Sequence, residues 1–159
     1  MNKIIQFFRE LFMKTAPQPI PIPTPNPIQQ PTPTQPSAPP ITTGRLNRWI
    51  DAIKVMEGAK LERNNPGNLR YVGQAHAFND NGFCKFSTYQ HGYDALKNLL
   101  VNACTGKSKT YRPEMSLLKF QSIYSPSSDG NNPAHYAKFV ADRIGGGVTT
   151  STPIKELNT

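Results

Sequence analysis

Leu46, Trp49, Ile50, Ile53 and Met56 recur at i, i+3, i+4, i+7 and i+10, the spacing of one face of an α-helix. Thr43 is placed to cap that helix and Gly58 to stop it. The pattern returns from Thr88 to about Cys104, with Ala95, Leu96, Leu99, Leu100 and Ala103 inward. A third helix is predicted within "PEMSLLKFQSIYSP" (113–126), where Leu117, Leu118, Phe120, Ile123 and Tyr124 are available for packing. A fourth is predicted within "NPAHYAKFVADRIGGG" (132–147). Pro133 suits its first turn, Tyr136, Phe139, Val140 and Ile144 share one face, and glycines end it. "STPIKEL" (151–157) can start a last short helix. No long alternating run marks a strand, and only 69–87 has room for a small hairpin. The expected domain is mainly α with a small irregular or hairpin lobe.

Two segments of different character precede it. In residues 1–15, Ile4, Ile5, Phe8, Leu11 and Phe12 fall at helical spacing, with Lys3, Gln6, Arg9 and Glu10 mostly opposite. Those polar residues interrupt the apolar run, and no small-residue cleavage site follows, which argues against a signal peptide. Fourteen helical residues measure roughly 21 Å, short of the ~30 Å hydrocarbon core of a bilayer. The expectation is an amphipathic anchor that lies on a membrane surface or docks on a partner protein. Residues 16–43 hold eleven of the sixteen prolines, an extended linker that can reach roughly 80 Å. The remainder, 44–159, is long enough for one core without staples.

The chain carries a net charge of +8, of which the part after residue 44 contributes +6 from fifteen basic and nine acidic residues. A basic surface favours an anionic partner. The cations are scattered, with no run longer than "KSK" (107–109) and no stripe interleaved with aromatics, so nucleic acid is not expected. Cys84 and Cys104 are the only cysteines and form no CxxC, while His76, His91 and His135 lack metal-ligand spacing. Neither a metal nor another cofactor is expected, and the cysteines are expected as free, small core residues.

The first helix ends on Glu57, within about 45° of the centre of the apolar stripe at 100° per residue. A carboxyl there loses hydration, which favours its protonated form, the state from which a general acid works. The competing reading is a half-exposed Glu paired with Lys54, Lys60 or Arg63. Next comes Asn64-Asn65-Pro66-Gly67-Asn68, where Pro66 and Gly67 force a tight turn. The amides of Asn65 and Asn68 both donate and accept, either to sugar hydroxyl and N-acetyl groups or to their own backbone.

The Glu-Gly at a helix end, "NNPGNLRY", "GFCKFSTYQHGYDALKNLL" and "YSPSSDGNNPAHYAKFVADRIG" together resemble phage virion-associated peptidoglycan hydrolases of the lysozyme superfamily. The likeness spans about residues 49–148. It implies a lysozyme-like fold and cleavage of the β-1,4 bond between N-acetylmuramic acid and N-acetylglucosamine. It also implies that a Glu at the C-terminal end of a core helix, here Glu57, is the acid. Asn65, Asn68, Arg70, Tyr71, Gln90 and Tyr136 are then the expected substrate-binding residues, with packing as the competing role for Arg70, Tyr71 and Tyr136. A glycosidase usually needs two carboxylates, and Asp80 in "FNDNGF" is the best second one. Glu62, Asp94 and Asp129 sit in no assignable motif. A lytic transglycosylase needs only one carboxylate, which tilts the expectation toward that reaction over a muramidase. The expected partner is peptidoglycan and the expected setting a virion component acting at the bacterial envelope, or else a bacterial membrane-attached enzyme facing the periplasm. The alternative function is a non-catalytic wall-binding or assembly protein on the same fold.

Overall fold

The computed structural model describes residues 44–159. The anchor predicted over 1–15, the linker over 16–43 and the cap at Thr43 lie outside the described residues. Four α-helices carry the domain: α1 (Arg45–Met56), α2 (Tyr89–Cys104), α3 (Leu117–Tyr124) and α4 (Pro133–Ile144). Single 3-10 turns occur at Leu61–Arg63, Ser127–Asp129 and Ile154–Leu157, and one antiparallel hairpin pairs β1 (Ala77–Asp80) with β2 (Phe83–Phe86). The fold is therefore mainly α with a small two-stranded lobe.

The helices start where their sequences allow. Gly44 takes the N-cap position of α1 without a side-chain bond, whereas Thr88, Ser116 and Asn132 each accept a backbone N–H from the first turn of α2, α3 and α4. Pro133 occupies the first turn of α4, where its missing N–H costs nothing. Helices α1 and α3 both pack on α4. The core between them contains Trp49, Ile53, Leu96, Leu100, Phe120, Val140 and Ile144, all essentially inaccessible to solvent. Each such side chain contributes about 1.5–3 kcal/mol on leaving water. Trp49 meets Phe120 edge-on at 4.9 Å. Leu118, expected to pack, instead faces outward at 38% exposure, because the inner face of α3 is taken by Leu117, Phe120 and Gln121.

Cys84 and Cys104 are free and buried, and burial pushes both thiols up to about 11, so they are inert fillers. The end of the chain closes on the start of α1. Leu46 N donates to Thr159 O at 3.2 Å, and the Arg45 guanidinium donates to the carbonyls of Glu156 and Gly146.

The hairpin turns on Asn81 and Gly82, both at positive φ (53° and 84°). That is the signature of a two-residue type I′ turn, whose twist matches its strands. Its register sets Asn79 opposite Cys84 and Asp80 opposite Phe83. Beyond the hairpin, Cys84 N donates to Leu69 O at 2.8 Å and Tyr71 N to Gly82 O at 2.9 Å, so the strand continues onto the asparagine loop. That loop in turn rests on α2. A Cβ added at Gly92 would stand 1.9 Å from the Asn64 carbonyl oxygen, so only glycine lets the helix and the loop come this close.

Candidate active site

Glu57 follows the last residue of α1, on the wall of a cleft of about 530 Å³. Tyr111, Ile123 and Tyr124 line the cleft with it on the helical side, and Gly67, Asn68, Arg70 and Phe83 on the side of the loop and hairpin. A neighbouring cavity of about 570 Å³ shares Leu69, Val72, Gln74 and Leu99 with this cleft.

The carboxyl of Glu57 is held by a buried phenol. Tyr136, 4% exposed on α4, donates its hydroxyl to Glu57 Oε1 at 3.0 Å. Burial chiefly, then the neighbouring Tyr124 and Glu57, keeps the Tyr136 hydroxyl protonated far beyond the usual phenol range, so it stays a donor. Tyr124 stands edge-on to Tyr136 at 6.4 Å and donates its own hydroxyl to Gly67 O. Burial, reinforced by Glu57 and Tyr111, holds that hydroxyl protonated as well. Two of the three cations that competed for Glu57 on sequence grounds are engaged elsewhere, Lys54 with Asp51 at 3.1 Å and Arg63 with Asp80 at 2.8 Å. Among the described residues Glu57 enters no ion pair, and Oε2 has no bonded donor.

The opposite wall is the asparagine loop, and its residues divide sharply. Asn65 is completely buried. Its amide nitrogen donates to Leu69 O and Cys84 O at 3.0 and 2.9 Å, and its Oδ1 accepts from Leu69 N at 2.8 Å. Every useful bond of that amide is spent on backbone, so the expectation of a sugar contact at Asn65 is corrected to a structural bolt. Asn64 serves similarly, its amide donating to Phe86 O at 3.0 Å. Gly67 fits under α2 and α3, where a Cβ would stand 2.9 Å from a Leu96 methyl and 3.0 Å from the Tyr124 hydroxyl. Asn68 takes a left-handed backbone (φ 50°), lines the cleft, and has no side-chain partner among the described residues.

The remaining expected residues separate likewise. Arg70 lines the cleft, stacked 4.2 Å from the Phe83 ring and paired with Asp129 at 2.8 Å. Tyr71 packs half-buried on the core rim and lines neither cavity. Gln90 is exposed on α2, gives its amide to Asp94 at 2.9 Å and lines neither cavity. Its groove role is not supported, because the first turn of α2 turns that position to solvent. Asp80, the expected second carboxylate, lies on β1 outside the cleft, and its hydrogen bond from Arg63 holds the carboxyl below its usual range.

Sequence reasoning did not assign Tyr124, Gln74, Asp129 or Asn131 to the cleft they line. Asp129 precedes Gly130 in an irregular 3-10 turn, so no periodicity marked it. Tyr124 did fall on the inner stripe of its helix, but the stripe alone does not reveal which inward residues reach a cavity. No protein-family model matches the chain, and no curated protein or solved structure is significantly similar to it.

Proposed function

We propose that this domain cleaves peptidoglycan glycan strands on a lysozyme-like scaffold, with Glu57 as general acid and then base. The observation that carries the reading is the environment of Glu57: a carboxyl at the end of a core helix, on a cleft wall, oriented by a buried phenol and, among the described residues, paired with no cation. In the proposed reaction Glu57 gives its proton to the bridging oxygen between the N-acetylmuramic acid and N-acetylglucosamine units. The C1–O bond breaks with the electron pair leaving on that oxygen, and positive charge develops at C1 and the ring oxygen. The muramic acid's own C6 hydroxyl then attacks C1 and returns its proton to the Glu57 carboxylate. The products are a shortened strand and a 1,6-anhydro end, and the enzyme regains its starting protonation. Asn68 presents its free amide to an N-acetyl or hydroxyl group, and Tyr136 is a positioning residue for the carboxyl.

The intramolecular route is favoured over hydrolysis because Asp80, the second carboxylate that the sequence offered, is outside the cleft. A retaining hydrolase would need a second carboxylate about 5 Å from the first. Digestion of purified peptidoglycan followed by mass spectrometry tests the function. Anhydro-muramic products, one water lighter than hydrolytic ones, are expected. Hydrated products would make the enzyme a muramidase, and intact walls would make it a binding module.

A further inference from the structure

We propose that Arg70 is a seat for a carboxylate on the bound glycan, with Asp129 occupying it in the empty cleft. This deepens the peptidoglycan reading and rests on it for the identity of the ligand. Arg70 and Asp129 come from opposite sides of the cleft, Arg70 from the asparagine loop and hairpin, Asp129 from the turn after α3. Their ion pair measures 2.8 Å and joins positions 59 residues apart.

Three features suit this pair to exchange. The guanidinium lies against the Phe83 ring at 4.2 Å, which fixes its plane without consuming its donors. Only Nη2 is bonded to Asp129, so the other donors of the fork remain free for a bidentate acceptor. The side chains are 59% and 40% exposed, and an ion pair so exposed contributes little to stability, so parting it costs little. The backbone beneath is rigid, since Arg70 O accepts from Gln74 Nε2 at 2.7 Å and residue 70 bridges to Phe83. A rigid platform carrying a loosely paired arginine in a cleft selects for anionic ligands. On peptidoglycan the carboxylate comes either from an unsubstituted lactyl group or from the stem peptide.

The test uses the full chain carrying Glu57→Gln, which binds without turnover, and compares three ligands by calorimetry. These are chitobiose, which is neutral, the N-acetylglucosaminyl–N-acetylmuramic acid disaccharide with its free lactyl carboxylate, and the same disaccharide bearing a dipeptide. At least one acidic ligand is expected to bind about fivefold or more tighter than chitobiose, the scale of a solvent-exposed charge-assisted bond. Preference for the free-lactyl disaccharide identifies the lactyl source, and preference for the dipeptide form alone identifies the stem peptide. Adding Arg70→Gln should erase the preference, and adding Asp129→Asn should widen it by removing the internal competitor. If the pair were only a structural latch, both changes would weaken all three ligands alike. Equal affinities, a preference that survives Arg70→Gln, or weaker acidic binding in Asp129→Asn overturns the proposal. Wall digestion by the unmutated chain is scored in parallel. Digestion without preference removes the carboxylate seat alone, and preference without digestion removes the enzyme reading alone.

Discussion

The two walls of the cleft are built by opposite means. On the helical side, Glu57 and Tyr124 line the cleft from helix ends, buried Tyr136 on α4 stands behind Glu57, and an aromatic series from Trp49 through Phe120 supports them. On the other side the backbone is irregular and is fixed almost bond by bond, by Asn64, Asn65, Gly67 and Gly92. Packing positions the first wall and hydrogen bonds position the second. On the proposed function the difference matters because a proton donor needs a dry, shaped surrounding, whereas sugar recognition needs accessible amides at fixed points. The buried asparagine and the half-buried one, three residues apart, divide the work: Asn65 holds the loop and Asn68 lines the cleft.

The comparison is most severely strained by Asn65→Ala. It strands the Cys84 carbonyl and the Leu69 N–H that the amide satisfied, while the Leu69 carbonyl keeps its bond from Cys84 N. At about 1–3 kcal/mol for each buried group left unpaired, the loss should reach about 2 kcal/mol or more, read as a fall in the denaturant midpoint at unchanged slope. Activity should fall with it, because the loop wall loses its shape. Tyr136→Phe probes the other wall at one atom. It removes the hydrogen bond to Glu57 Oε1, which strengthens to about 1.5–3 kcal/mol as the carboxyl gives up its proton, and the expected result is a drop in kcat of about tenfold or more with KM nearly unchanged. An equal loss in KM would mean that the phenol serves binding instead.

The smallest effect belongs to Asp80→Asn. Wall-cleavage rate should stay near wild type, since Asp80 is outside the cleft. A loss above about tenfold would restore it as a catalytic carboxylate. The Arg63 bond depresses the folded-state carboxyl, so its stabilising contribution is present above the unfolded carboxylate range and disappears as pH falls through the lower folded value. Melting curves of wild type and Asp80→Asn should therefore converge in acid and separate slightly toward neutral pH.

The same contrast explains what was legible in the sequence. Helices α1 to α4 announced themselves because packing against a core imposes a period; Glu57 and Tyr136 lie in phase with it, but Tyr136, expected to bind substrate, packs behind Glu57 and lines neither cavity. Thr88 and Pro133 gave away two helix starts by local chemistry alone. The fate of Asn65 was hidden because two of its three bonds involve Leu69 and the third Cys84, 19 residues away, and only the hairpin register brings that carbonyl within reach. Asp129 was hidden for the same reason, its partner Arg70 being far off in sequence. Asp80 looked available because sequence does not show that Arg63, 17 residues before it, folds back onto its carboxyl.

The central claim is that Glu57 delivers the proton that breaks the glycan strand. Glu57→Gln keeps the shape of the side chain and can still accept the Tyr136 hydroxyl on its amide oxygen, but it has no proton to give. The decisive measurement is the rate of release of soluble fragments from purified peptidoglycan by the Glu57→Gln chain, beside a melting curve that checks the fold. A loss of about 10²–10⁴-fold is expected, with the melting curve essentially preserved. A folded Glu57→Gln chain that retains more than about a tenth of the wild-type rate would contradict it and place the acid elsewhere.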